Sequence, residues 1–234
     1  MIASRLPVRL LGAAVLAFTV SAAHATFAFS TLSGAGNASA FATSVGGSID
    51  TFSDLTINSD LGVASLTRST VGARPIGYKV STEVDLQTVQ TSGVGGPSLT
   101  VASNVDTMTF GSFASAVYAF GINFYLSDLT PGAVGGGVMK VTAKDTGGLI
   151  QSYTFTQSSF SSNSQQYLPL LVTLFSTAPL DFVQLTPPNV GSNPDVFATA
   201  DNLVLAPVPE ESTWLMMLGG GAFVLRRIVR RRRS

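Results

Sequence analysis

The chain of 234 residues contains no cysteine and a single histidine, His24. Without cysteine there is no disulfide framework, no thiol nucleophile and no thiolate metal site. Charge is sparse too: 11% of residues are charged, with 13 Lys and Arg against 13 Asp and Glu. Tryptophan occurs once, at Trp214, and Glu83 is the one glutamate between residues 26 and 206. What is abundant is apolar surface, at 45% of residues, together with 23 glycines. That balance argues against a disordered polyelectrolyte, and the length suits one domain with short appendages.

Residues 1–25 read as a secretory signal peptide. Arg5 and Arg9 supply a positive start, residues 10–20 form a largely apolar, uncharged run, and Ala23-His24-Ala25 is a small-x-small cleavage site ending at Ala25. The run is too short for a spanning helix, which takes roughly 20 apolar residues. Cleavage after Ala25 removes His24, the only histidine. Ser-His-Asp triads, histidine general bases and histidine metal ligands are thereby excluded from residues 26–206. The lack of cysteine does not oppose export, since an oxidising compartment permits disulfides without requiring them.

Residues 207–234 form a three-part tail. Pro207 and Pro209 mark a linker. An uncharged apolar stretch runs from Trp214 to Leu225, and Arg226, Arg227, Arg230, Arg231, Arg232 and Arg233 close the chain. An apolar helix ending in arginines places that end in the cytoplasm. Twelve residues make about 18 Å of helix, short of the roughly 30 Å hydrocarbon core, so the segment suits a transient membrane stop. A simple tail anchor is the competing reading. Nucleic-acid binding by the arginines is not expected, because the apolar stretch has no role in it.

The order Val208-Pro209-Glu210, Glu211, Ser212-Thr213-Trp214, glycine-containing apolar stretch and terminal arginine run resembles the PEP-CTERM sorting signal. Glu211 stands where the second proline of the Pro-Glu-Pro tripeptide would be. The resemblance covers the tail only. It implies an exported bacterial protein, tethered briefly at the inner membrane and handed to an exosortase-type membrane protease. It also implies a destination at the cell surface or in an exopolysaccharide or biofilm matrix.

Residues 26–206 have the pattern of an all-β domain. Tyr118, Phe120, Ile122, Phe124 and Leu126 alternate with smaller or more polar neighbours, the period of a strand with one face in a core. Further strands are predicted over 26–32, 49–57, 76–89 (one long or two short), 105–110, 137–144, 149–157, 168–175, 180–186 and 197–205. Asp145-Thr146-Gly147-Gly148 is predicted to close a hairpin. Many short strands without a long amphipathic helix predict a β-sandwich or jelly roll, flanked by the signal-peptide helix and a short C-terminal transmembrane helix. Residues 33–48 and 92–98, rich in Gly, Ser and Ala, are predicted as loops.

The chemistry open to this domain is limited. Its acids are Asp50, Asp54, Asp60, Glu83, Asp85, Asp106, Asp128, Asp145, Asp181, Asp195 and Asp201, and its cations Arg68, Arg74, Lys79, Lys140 and Lys144. The zero net charge of the whole chain therefore conceals an acidic domain between two basic ends. A two-carboxylate glycosidase would need two of these acids facing each other across a cleft, yet most sit beside turns, where Asp shapes loops. No catalytic residue is assigned. Two oxygen-rich groups, Asp50 with Asp54, Asn58 and Asp60, and Asn193 with Asp195, Asp201 and Asn202, are of the type that holds Ca²⁺. Neither matches an EF-hand loop, turn formation is the plainer expectation, and no metal site is assigned. Tyr78, Tyr125, Tyr153 and Tyr167 are candidate platforms for sugar rings, with Tyr125 foremost. The overall expectation is a non-enzymatic structural or adhesive module, with carbohydrate binding as the alternative.

Overall fold

The computed structural model describes residues 26–33, 37–90, 96–103, 105–127, 138–156, 170–187 and 197–207. The signal sequence with Ala23 and Ala25, the sorting motif from Val208 to Trp214 and the arginine cluster lie outside the described residues. The two flanking helices expected there are likewise not described. Among the described residues, no helix is long and apolar enough to cross a membrane.

In chain order the elements are β1 (Phe27–Ser33), α1 (Asn37–Ser44), β2 (Ser48–Asp50), β3 (Ser65–Ser69), β4 (Gly77–Ser81), β5 (Leu86–Gln90) and β6 (Pro97–Val101). There follow β7 (Met108–Gly111), β8 (Ala119–Ser127), β9 (Val138–Asp145), β10 (Ile150–Thr156), β11 (Leu170–Ser176), β12 (Leu180–Thr186) and β13 (Phe197–Ala206). They form two antiparallel sheets. The first has the order β1-β11-β8-β13-β6-β5, with β2 also pairing with β13, and the second the order β10-β9-β12-β7-β4-β3. The expected β-sandwich is therefore present. From β7 onward the chain changes sheet at every connection except the β9–β10 hairpin.

The alternation read in β8 decides how the sheets stack. Phe120, Ile122, Phe124 and Leu126 point inward and meet Val172 and Leu174 of β11 and Ala198 and Ala200 of β13. The second sheet answers with Tyr78, Val80, Met108, Phe110, Val141, Val183 and Leu185. Phe110 links the sheets edge-to-face with Phe120 at 5.9 Å between ring centroids. Burying a side chain of this class contributes roughly 1.5–3 kcal/mol, so this shared layer is the main source of stability.

Four elements depart from the sequence reading. Residues 37–44, expected as loop, form α1, because Ala38, Phe41, Ala42 and Val45 recur at helical spacing and give it one buried face. β6 begins at Pro97, inside the second expected loop; proline is tolerated at the first position of a strand, where its missing N–H does least harm. β3 went unread because its residues alternate only weakly between exposed and half-buried. The strand expected over 49–57 stops at Asp50, whose Oδ1 accepts the N–H of Phe52 at 2.9 Å and turns the chain. Phe52 takes φ 54°, a left-handed conformation uncommon for an aromatic residue, while fully buried.

Candidate functional site

Two polar clusters stand out from the apolar architecture. The first lies where β2, β3 and β4 approach one another. Arg68 on β3 grips Asp50 on β2 with two bonds, Nε to Oδ2 at 2.7 Å and Nη2 to Oδ1 at 2.9 Å. The Tyr78 hydroxyl donates to the same Oδ2 at 2.7 Å. With the Phe52 amide, Asp50 accepts four hydrogen bonds while its side chain is 5% exposed. Arg68 also reaches Asp54 at 2.6 Å, and its guanidinium carbon lies 5.2 Å from the centroid of the Phe52 ring.

Electrostatics follows from this geometry. Burial by itself would lower the Arg68 pKa, but the bonds to Asp50 and Asp54 outweigh it and hold the guanidinium protonated above its ordinary value. Burial, and then the neighbouring Asp50 charge, push the Tyr78 hydroxyl up, so it stays a donor. The Arg68 bond holds Asp54 below the usual carboxylate range. Of the first oxygen-rich group seen in sequence, Asp50 and Asp54 are thus assembled around an internal cation, while Asn58 Oδ1 accepts the Gln90 amide at 3.0 Å. Asp60 stands apart from it and accepts the Gly62 amide at 2.9 Å.

The second cluster lies on the outer face of the first sheet. One end of that face is apolar and covered by α1, where Phe41, Ala38, Ala42 and Val45 pack on Ala119, Leu171, Val204 and Ala206. Gly121 makes this possible, since a Cβ there would stand 2.5 Å from the Phe41 ring. The other end is polar. Asn123, Tyr125 and Ser127 of β8 lie opposite Asp201, Thr199 and Phe197 of β13, and Thr199 lies opposite Thr100 of β6. Ser127 Oγ and Thr199 Oγ1 are 2.5 Å apart, Thr199 donates to Thr100 Oγ1 at 3.0 Å, and Thr100 donates to the Ala198 carbonyl at 3.1 Å. A hydroxyl chain therefore crosses three strands. Asp201 sits beside it at a β-bulge, where Asn202 takes φ 52° and donates its N–H to Asp201 Oδ1 at 2.8 Å. Burial raises the Asp201 carboxyl, the Asn202 amide bond opposes this, and the Asp50 charge adds to the rise, to about 7. This polar end is buried, with Tyr125 0% exposed.

The remaining sequence candidates fall into place around these clusters. Tyr78 is a core residue, and Tyr125 occupies the expected face but is buried within it. Tyr153 is partly exposed, yet its ring is stacked against Phe29 at 5.7 Å and Phe155 at 6.1 Å. Tyr167, Asp128, Asn193 and Asp195 lie outside the described residues. Asp106 is engaged by the amides of Glu83, Val84 and Thr107 and by the Thr82 hydroxyl. Asp145 accepts the Leu149 amide across the expected hairpin turn, and Asp181 pairs with Lys144 at 2.8 Å. Among the described residues, no group of three or more His, Cys, Asp or Glu is placed to hold a metal ion. Sequence reasoning missed Arg68 as the centre of the first cluster; its signal was a lone Arg among Ser and Thr on a strand.

No family model and no curated protein matches the chain. The solved structures that resemble the chain do so only slightly, two of them as follows. One is TmCBM61 in complex with β-1,4-galactotriose, at 12% identity and TM-score 0.31, over 56% of this chain and 88% of that one. The other is the family 11 carbohydrate-binding module from Clostridium thermocellum with a β-1,3-1,4-mixed-linked tetrasaccharide, at 11% identity and TM-score 0.21, over 70% and 97%. Likeness at this level assigns no ligand to this chain.

Proposed function

We propose that the chain is an exported, non-enzymatic β-sandwich module, delivered by its PEP-CTERM-like tail to the bacterial surface or matrix, where it acts by contact. The observation that carries the reading is the use made of its carboxylates. Asp50, Asp54, Asp60, Asp106, Asp145, Asp181 and Asp201 each bind an amide, a hydroxyl or a cation of the same chain. Acids tied in this way shape and pin the sandwich. A glycosidase would instead present two of them across a cleft, and residues 26–206 offer no histidine or cysteine in their place. The test is the mass of the C-terminus in strains with and without an exosortase. A tail shortened only when the protease is present is the expected result, and an intact tail in both strains overturns the sorting claim.

A second reading, carbohydrate binding, is favoured by Tyr153, a sugar-platform candidate whose ring is partly exposed on β10. That ring is backed by Phe29 at 5.7 Å and Phe155 at 6.1 Å, and the acidic domain is unsuited to acidic polymers by charge. Glycan-array binding to neutral saccharides, lost in Tyr153→Ala without loss of folding, supports it. Failure to retain any glycan, with or without Ca²⁺, removes it.

A further inference from the structure

The two lateral sides of the sandwich are finished differently. On one side, the outer edge of β5 is occupied by the chain's own residues 59–63. Leu61 N–H donates to the Leu86 carbonyl, Leu86 N–H to Val63 and Thr88 N–H to Ser59, while the Gln90 amide donates to Asn58 Oδ1. The neighbouring edge strand β3 carries Arg68, a charge that blunts pairing. On the other side, among the described residues, β10 pairs only with β9. Its sequence, Ile-Gln-Ser-Tyr-Thr-Phe-Thr, has no charge, no proline and no bulge.

Residues 150–154 are all exposed, with Ile150 at 58%. Leu149, Val138 and Tyr153 are also among the exposed large hydrophobics, so the β9–β10 hairpin concentrates apolar surface that the rest of the domain scatters over loops. On β9, Lys144 lies opposite Ile150 and Lys140 opposite Thr154; Lys144 is already paired with Asp181, and Asp145 at the turn is buried.

We propose that β10 is a self-association edge, at which a second copy of this chain adds its own β10 antiparallel and extends the second sheet across a two-fold axis. The occupant follows from the chemistry of the strand. An acidic domain is repelled by its own copy over most of its surface, and here it offers itself a charge-free seam. Ile, Tyr, Phe and Thr, the residues that pack best on a pleated surface, make up most of that seam. An antiparallel pair centred on Tyr153 sets Ser152 opposite Thr154 and Ile150 opposite Thr156 of the partner copy. Each unpaired backbone group of the edge then finds its complement, as two-fold pairing requires. A single seven-residue strand buries less than a standard interface, so the dimer is weak and concentration-dependent.

The cysteine-free chain makes the test direct. In the full chain, purified in detergent, Ser152→Cys with Thr154→Cys is expected to oxidise to a disulfide-linked dimer, and Tyr153→Cys alone to do the same. Thr67→Cys, exposed on β3 at the opposite side, is expected to stay monomeric. Sedimentation should show the parent chain associating and Ser152→Lys associating about tenfold or more weakly, with an unchanged unfolding midpoint. Equal cross-linking at Thr67, unchanged association of Ser152→Lys, or a parent chain monomeric at every concentration overturns the proposal.

Discussion

Arg68 shows how much of this fold rests on one side chain. It ties two carboxylates and a ring of the stretch from Asp50 to Asp54 to β3, with its own side chain only 9% exposed. Removing one partner of a buried ion pair strands the other charge and costs roughly 3–5 kcal/mol. Arg68→Met is therefore expected to lower unfolding free energy by about that much in denaturant titration. Asp54→Ala, at a side chain 71% exposed, should cost under about 1 kcal/mol; equal losses from the two would refute the hierarchy. Asp201 gives a second residue-scale expectation. Its carboxyl titrates near 7 in the folded chain and near 3.9 when unfolded. The native state thus holds a proton that the unfolded chain has lost, and stability falls as pH rises through that window. Asp201→Asn keeps an acceptor for the Asn202 amide and removes the penalty. Its advantage over the parent should be near zero at about pH 4 and reach a few kcal/mol by about pH 8. A difference independent of pH would show that Asp201 is not titrating there. The sequence revealed that Asp50 and Asp54 were close, but not that an arginine fourteen positions beyond Asp54 stood between them. That contact comes from β3 pairing with β4, and β3 has no periodicity to announce it.

Among the elements, α1 is joined to the rest through a small separate cluster rather than the main core. Its seat depends on the missing side chain at Gly121 and on the edge-to-face contact of Phe41 with Phe175 at 5.7 Å. Gly121→Val is expected to push the helix off, with a cost of about 1–3 kcal/mol for overpacking. Hydrogen exchange should then quicken over residues 37–44 while β8 and β11 stay protected. Loss of protection throughout would mean that the helix and the sandwich are one cooperative unit. The strands best read from sequence were those with a regular alternation of residue types: β8, which is buried along its whole length, and β12 and the β9–β10 hairpin with its Asp-Thr-Gly-Gly turn. The elements that escaped are those whose signal was composition rather than period. In α1 small residues masked a helical spacing, and in β6 a proline and neighbouring glycines masked a strand buried along its whole length.

For the molecule as a whole, β13 is the hub, since it alone pairs with β8, β6 and β2 among the described strands. A chain truncated after residue 187 is expected to remain unfolded and be digested rapidly by protease, whereas one ending at residue 207 should resist. Protease resistance of the shorter chain would show that the first sheet closes without its central strand. The candidate functions divide along a similar line. The proposed sorting signals at the two ends are linear motifs, legible without a fold. The polar end of the first sheet was not legible in this way, because it exists only once β6, β8 and β13 lie side by side.

The long-range pairing of β1 carries a consequence for the timing of biogenesis. The amide of Thr26 donates to Thr177 Oγ1, a partner 151 positions further along the chain, and β1 has no strand to join until β11 arrives. Contacts so distant are slow to form, because the intervening chain must be ordered first. Strand β1 thus leaves the ribosome well before β11 and is among the last elements to acquire structure. A chain built this way leaves β1 unpaired until β11 is made, which is the threadable state that the proposed export would require.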